Sequence, residues 1–212
     1  MPREPRVELS LSRVTPEIDD ELELSEALFS GDFTGVRAGA VEISASRITN
    51  SRFTGATLTR LRMTDVVVDD VDFSGSDLES AILTRVAFKN CRLSGVLLPQ
   101  ARLRDVSFVE CRLDEANLRM VKAERILFKS VDLHEADLLS AELLAARFFD
   151  CNLNGAQFSQ ALLPEARLHG SSLLDIKGAE YLRHVVIDST QILPLALPVF
   201  AGLDIHVEDE RD

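Results

Sequence analysis

The chain has 212 residues, is 46% hydrophobic and carries a formal net charge of −12 at pH 7, a length that accommodates one domain and at most two. No apolar run approaches the roughly 18 residues of a membrane span, and the opening "MPREPRVELS" lacks the apolar stretch of a signal peptide, so a cytoplasmic location is expected. Cys91, Cys111 and Cys151 are an odd count without CxxC or His-rich spacing, which argues against a disulfide framework or a zinc site and for reduced thiols.

In residues 1–30, Val7, Leu9 and Leu11 alternate with polar neighbours, the pattern of a short strand. "LELSE" and "ALFSG" follow, with Leu22, Leu24, Ala27 and Phe29 at inward positions one residue out of step with the chain beyond them. An irregular first coil is expected, the whole segment serving as an N-terminal cap.

From Phe33 to Leu173 an apolar residue, called i, recurs every fifth position through 29 consecutive pentapeptides, as in "VAFKNCRLSGVLLPQARLRD". In 27 of the 29 it is Leu, Phe, Ile, Val or Met, the exceptions being Ala38 and Ala123. Position i−2 is as regular: only Leu61 and Ile126 are larger than Val. A helix would spread residues five apart around its circumference, and a strand would put i−2 and i on one face but reverse the next pair. Each unit must therefore turn a corner, and a fixed period along the chain marks a solenoid.

A slower period gives the size of one coil. Phe88, Phe108, Phe128 and Phe148 are spaced by twenty, as are Phe33, Phe53 and Phe73, and all three cysteines obey the same rule at i−2. Gly35, Gly55, Gly75, Gly95 and Gly155 fall at i+2, where a corner calls for positive φ. Pro99 and Pro164 sit at i+1, where a fixed φ suits a turn and no ladder donor is needed. Four pentapeptides per coil follow. Ala123, small where Leu is usual, predicts either a void or a bulge.

Residues 176–212 leave the pattern. Asp188 or Ser189 is placed to cap a helix running through Gln191, Ile192, Leu195, Leu197, Val199 and Phe200 to a stop near Gly202, limited or kinked by Pro194 and Pro198. Apolar residues encircle its axis, so burial on several sides is expected. The end of the solenoid can supply one surface and a second copy of the chain another, with Ile192, Leu195, Leu197, Val199 and Phe200 at the dimer interface; the alternative is a monomer in which the helix serves as a cap.

The units "ANLRM", "ADLLS", "CRLDE" and "CNLNG" are similar to those of the pentapeptide-repeat family, whose usual form is A(D/N)LXX, and the resemblance covers residues 31–175. It implies an all-β, right-handed quadrilateral β-helix with a C-terminal helical cap. Seven or so coils about 4.8 Å apart would make a rod of roughly 35 Å, its interior stacking like on like, with a Phe ladder on one side and Cys among Val and Ser on another. Cys91 and Cys111 would lie one coil apart with parallel side chains, a poor geometry for a disulfide; they read as small space-filling residues. The gyrase-binding, quinolone-resistance members of the family further imply a type II topoisomerase as partner, C-terminal dimerisation and a DNA-mimicking role. The unbroken register resembles the members without coil-interrupting loops, which inhibit gyrase.

No Ser/His/Asp, HExxH, P-loop or GxGxxG arrangement is present. His134, His169, His184 and His206 are isolated, His134 and His169 at outward i+1 positions that read as solvated surface. A filled β-helix offers no interior cleft, so a non-enzymatic binding protein without cofactor, metal, membrane or direct nucleic-acid contact is expected. Charge is unevenly placed: residues 1–30 hold 8 acids and 3 bases, residues 176–212 hold 7 and 3, and the remaining 145 hold 20 and 17. Within the repeats Asp65, Arg85, Asp105 and Arg125 share a corner on successive coils, as do Asp32, Arg52, Asp72 and Arg92, predicting pairs of about 0.2 to 1 kcal/mol. One wall, made of the units beginning at 31, 51 and onward to 171, carries 7 outward acids against 3 bases. Asp114, Glu115, Asp132 and Glu135, with Asp175 beyond them, are the candidate partner-binding residues for a topoisomerase. The alternative is an interaction scaffold for another protein.

Overall fold

A computed structural model describes residues 1–8 and 10–205; Leu9 and His206, named above, lie outside the described residues. Strands run in chain order as β1 (Ser12–Arg13), β2 (Glu23–Ser25), β3 (Ala27–Phe29), β4 (Arg37–Gly39), β5 (Glu42–Arg52), β6 (Thr57–Thr59), β7 (Arg62–Asp72), β8 (Ile82–Lys89), β9 (Arg102–Val109), β10 (Lys122–Lys129), β11 (Glu142–Leu144) and β12 (Arg147–Phe149). All pair in parallel, and the register advances by twenty: Ile43 opposes Met63, Met63 opposes Leu83, Leu83 opposes Leu103. This is a parallel β-solenoid of four walls per coil, formed by the units that begin at 31, 36, 41 and 46 and their repeats. The third and fourth walls carry the long strands, while the first and second are joined largely by single bridges such as Asp72 to Arg92 and Leu97 to Asn117. No helix among the described residues is long and apolar enough to cross a membrane.

The corners are more demanding than the glycines alone indicate. Every i+2 residue from 35 to 175 has positive φ, and 23 of these 29 are not glycine. Such a conformation costs a non-glycine residue of order 1 to 3 kcal/mol unless its surroundings hold it. Many are held in this way: the corner amide donates to a carbonyl one coil on, as Gly55 does to Ser74 (2.9 Å), Arg60 to Glu79 (2.9 Å) and Glu115 to His134 (2.8 Å).

Inside, the aromatic residues form two ladders. Phe33, Phe53 and Phe73 stack on the first wall at centroid spacings of 4.8 and 4.9 Å. Phe88, Phe108, Phe128 and Phe148 stack on the fourth at 4.7, 5.3 and 4.9 Å. Phe73 meets Phe88 edge to face at 6.4 Å where the ladder changes wall. The three cysteines lie buried and free at i−2 of the first wall, and burial pushes the Cys151 thiol up to about 11. Ala123 opposes Leu103 on one side and Leu143 on the other, so the strand passes it without a bulge.

The first coil is one residue short: Leu24 opposes Ile43 and Phe29 opposes Ile48. Val14, Ile18 and Leu22 pack against the core at this end. The strand expected around Val7 and Leu11 is a correction: β1 comprises only Ser12 and Arg13, which pair with Ala27 and Leu28. Residues 1–8 instead lie against the outside of the solenoid, where the Arg3 amide donates to Asp105 Oδ1 (3.0 Å) and the Arg6 amide to Asp65 Oδ1 (2.9 Å). Pro2 and Pro5 suit this placement, since neither supplies the donor a ladder strand needs.

At the other end, Asp188 and Gln191 form a capping box around a short 3-10 turn (Ser189–Gln191) that leads into α1 (Ile192–Gly202). The Gln191 side chain is buried and donates to the carbonyls of Ser171 (2.7 Å) and Leu168, closing the last coil's open edge. Leu195 and Val199 pack on the core. The burial on several sides expected for this helix is not met within one chain: Ile192, Leu197 and Phe200 are exposed, and Leu193 is 82% exposed.

Candidate functional site

The first wall presents the candidate acidic residues because i−1, i+1 and i+2 of each pentapeptide point outward when i−2 and i point in. Asp114 and Glu115 sit on one coil and Asp132 and Glu135 on the next; Asp175 lies two coils farther. Asp114 Oδ1 accepts from the Ser94 hydroxyl (2.6 Å), and Asp132 Oδ1 from the Asn152 side chain (2.9 Å) and the His134 amide (3.2 Å). Glu115, Glu135 and Asp175 are exposed corner residues with φ of 57°, 54° and 52°. His134 Nε2 stands 3.9 Å from Glu135. Among the described residues none of these five acids is ion-paired to an Arg or Lys.

Several acids on the other walls are compensated. Lys122 bonds Glu142 (2.9 Å), Arg104 bonds Glu124 (3.3 Å) and Arg119 bonds Asp137 (3.0 Å). The corner of Asp65, Arg85, Asp105 and Arg125 resolves into two bidentate pairs, Arg85 with Asp65 (2.6 and 2.6 Å) and Arg125 with Asp105 (2.7 and 2.8 Å). The hydrogen bonds from Arg125, with that of the Arg3 amide, hold the Asp105 carboxyl down at about 2. The second stack named above is only half paired: Arg52 reaches Asp32 at 3.2 Å, whereas Asp72 accepts from the Ser74 amide (2.8 Å).

His169 departs from the solvated reading. Its ring is half-buried against Phe149 (centroids 6.2 Å) and its Nδ1 has no partner among the described residues. Of the apolar helix residues, Leu195 and Val199 face the solenoid while Ile192, Leu197 and Phe200 face away. Gln191 and the amides of Arg3 and Arg6 had no signal in the periodic pattern, because each acts outside the repeats.

Family models described as a pentapeptide repeat region and as pentapeptide repeats in eight copies match residues 81–158 and 46–85. No curated protein matches the sequence. Among solved structures, QnrB1, a plasmid-mediated fluoroquinolone resistance protein, is similar at 19% identity over 92% of this chain and 96% of that one, with a TM-score of 0.45. A pentapeptide repeat protein from the Arabidopsis thaliana thylakoid lumen is 26% identical over 44% of this chain and 66% of its own, with a TM-score of 0.40. HetL, involved in heterocyst differentiation regulation in the cyanobacterium Nostoc, is 18% identical over 74% and 89%, with a TM-score of 0.25. With the coil register and the interior ladders, the two family matches place this chain in the pentapeptide-repeat family.

Proposed function

We propose that the protein is a non-enzymatic binding protein that mimics duplex DNA and occupies the cationic DNA-binding surface of a type II topoisomerase, DNA gyrase being the first candidate, so as to bind or inhibit it; protection from quinolones would be a consequence of that occupancy. The observation that carries this reading is the gathering on one wall of Asp114, Glu115, Asp132, Glu135 and Asp175, none paired with Arg or Lys among the described residues, whereas Glu124, Asp137 and Glu142 elsewhere are paired. A rigid stack holding uncompensated carboxylates at fixed intervals is suited to a protein surface built for phosphates, and attraction of this kind weakens as salt rises.

Supercoiling by purified gyrase, titrated with the protein at two salt concentrations, tests it. Inhibition that is stronger at low salt and falls at least tenfold on reversing Asp114, Glu115, Asp132 and Glu135 to Lys is expected. Absence of inhibition at low salt favours the scaffold reading, and inhibition indifferent to the four reversals rejects this wall as the site.

The reading includes a homodimer through α1, whose outer side presents Ile192, Leu193 and Leu197 to solvent. Two chains joined there would bring both acidic walls to flank the centre of one longer rod. Light scattering is expected to give twice the chain mass for the protein and the chain mass for Leu197→Asp; a single-chain mass before the substitution removes the dimer from the proposal.

A further inference from the structure

Residues 2–7 read Pro-Arg-Glu-Pro-Arg-Val, two copies of Pro-Arg-x. The amides of Arg3 and Arg6, three residues apart, reach Asp105 and Asp65, two coils apart on one corner. Phe stacking puts successive coils 4.7 to 5.3 Å apart, so the acceptors are separated by roughly 10 Å at a strand spacing of about 4.8 Å. Three residues of α-helix cover only about 4.5 Å. Three residues of strand cover about 10 Å, but residues an odd number apart turn to opposite sides. Polyproline II covers about 9.3 Å in three residues and returns to the same side. Only the threefold conformation meets both conditions, and Pro2 and Pro5, each half-buried, fix φ near the value it requires.

The receiving surface has the matching period. Each Arg of the corner pairs with the Asp one coil before it, so a carboxylate recurs every second coil, and Asp65 and Asp105 each take one amide besides their guanidinium. Beside the corner, outward Ala87, Ser107 and Leu127 on the fourth wall line a concavity with Met1 and Pro2. Leu127 is 7% exposed, against 60% for outward Leu162.

We propose that this corner and the adjoining wall form a docking track for a polyproline II segment of Pro-Arg-x sequence, held in cis by residues 2–7 and open to an equivalent segment of another protein once they leave. Recognition rests on an amide every third residue meeting a carboxylate every second coil, with proline against the apolar wall.

The full-length double variant Arg3→Pro/Arg6→Pro removes both donors without shortening the chain. A fluorescent peptide of residues 1–8 is expected to bind it at least about tenfold more tightly than the parent, in which the tethered segment competes at an effective concentration in the millimolar range. Adding Asp65→Asn/Asp105→Asn is expected to abolish the gain, as is inserting Gly between Glu4 and Pro5 of the peptide. Equal binding to parent and variant, no binding to either at millimolar peptide, or undiminished binding of the Gly-inserted peptide overturns the proposal. In the unmodified protein, slow amide exchange at Arg3 and Arg6 beside fast exchange at Glu4 is the companion result; equal rates at all three overturn it irrespective of how the variant folds.

Discussion

Phe108→Ala is expected to destabilise the protein by about 3 to 5 kcal/mol, read as a lower denaturation midpoint. Phe108 is fully buried and lies between Phe88 at 4.7 Å and Phe128 at 5.3 Å, with rings within 8° of parallel. Truncation therefore removes two stacked contacts, each about 0.5 to 1.5 kcal/mol beyond burial, and leaves a gap that neighbours fixed by ladder pairing cannot fill. A solenoid is stabilised by its nearest-neighbour interfaces, so weakening this middle rung is also expected to broaden the transition or divide it in two. Phe108→Leu is the control: Leu already occupies i at Leu93, Leu113 and Leu133, and its cost should stay well below that of Ala. An Ala variant with an unchanged midpoint removes Phe108 from the load of the core.

The interior was legible because it repeats. A period of five exposes which side chains point in, a period of twenty exposes which ones stack, and both follow from residue size alone. That the Phe positions make two ladders on adjacent walls was implicit in the numbering, since 33, 53 and 73 differ from 88 by amounts that are not multiples of twenty. The corners were legible only in part. Glycine advertises positive φ, but Arg60, Met120 and Glu135 adopt it too, held by coil-to-coil amide bonds that carry no residue-type signature. The acidic wall could be located by counting outward positions, whereas the pairing of acids on other walls depends on side-chain reach across coils. The strap of residues 1–8 was hidden for a different reason: it joins Arg3 to Asp105, 102 residues away, through a main-chain amide. Only the Pro-Arg-x spacing hints at it, and its meaning needs the coil spacing beside it.

The ion pairs along the solenoid are not equivalent, and Asp105 should separate from the rest. Its side chain is 3% exposed and that of Arg125 26%, whereas Asp32 and Arg52 are both largely in solvent. Asp105→Asn is expected to cost about 3 kcal/mol, the lower end for breaking a buried pair, because Arg125 keeps a second carboxylate at Glu124. Asp32→Asn should leave the midpoint unchanged, as exposed pairs are screened. Acidity provides an independent check. Because the folded carboxyl of Asp105 sits at about 2 against an ordinary 3.8, its contribution is complete above pH 4 and is lost as pH falls toward 2, about 2 kcal/mol in all. Urea midpoints measured from pH 5 down to pH 2 should therefore fall more steeply for the parent than for Asp105→Asn, and most of the gap between the two curves should close at the acid end. Parallel curves would mean that the Asp105 carboxylate is not held by Arg125 and the Arg3 amide, and the strap would lose one of its two anchors.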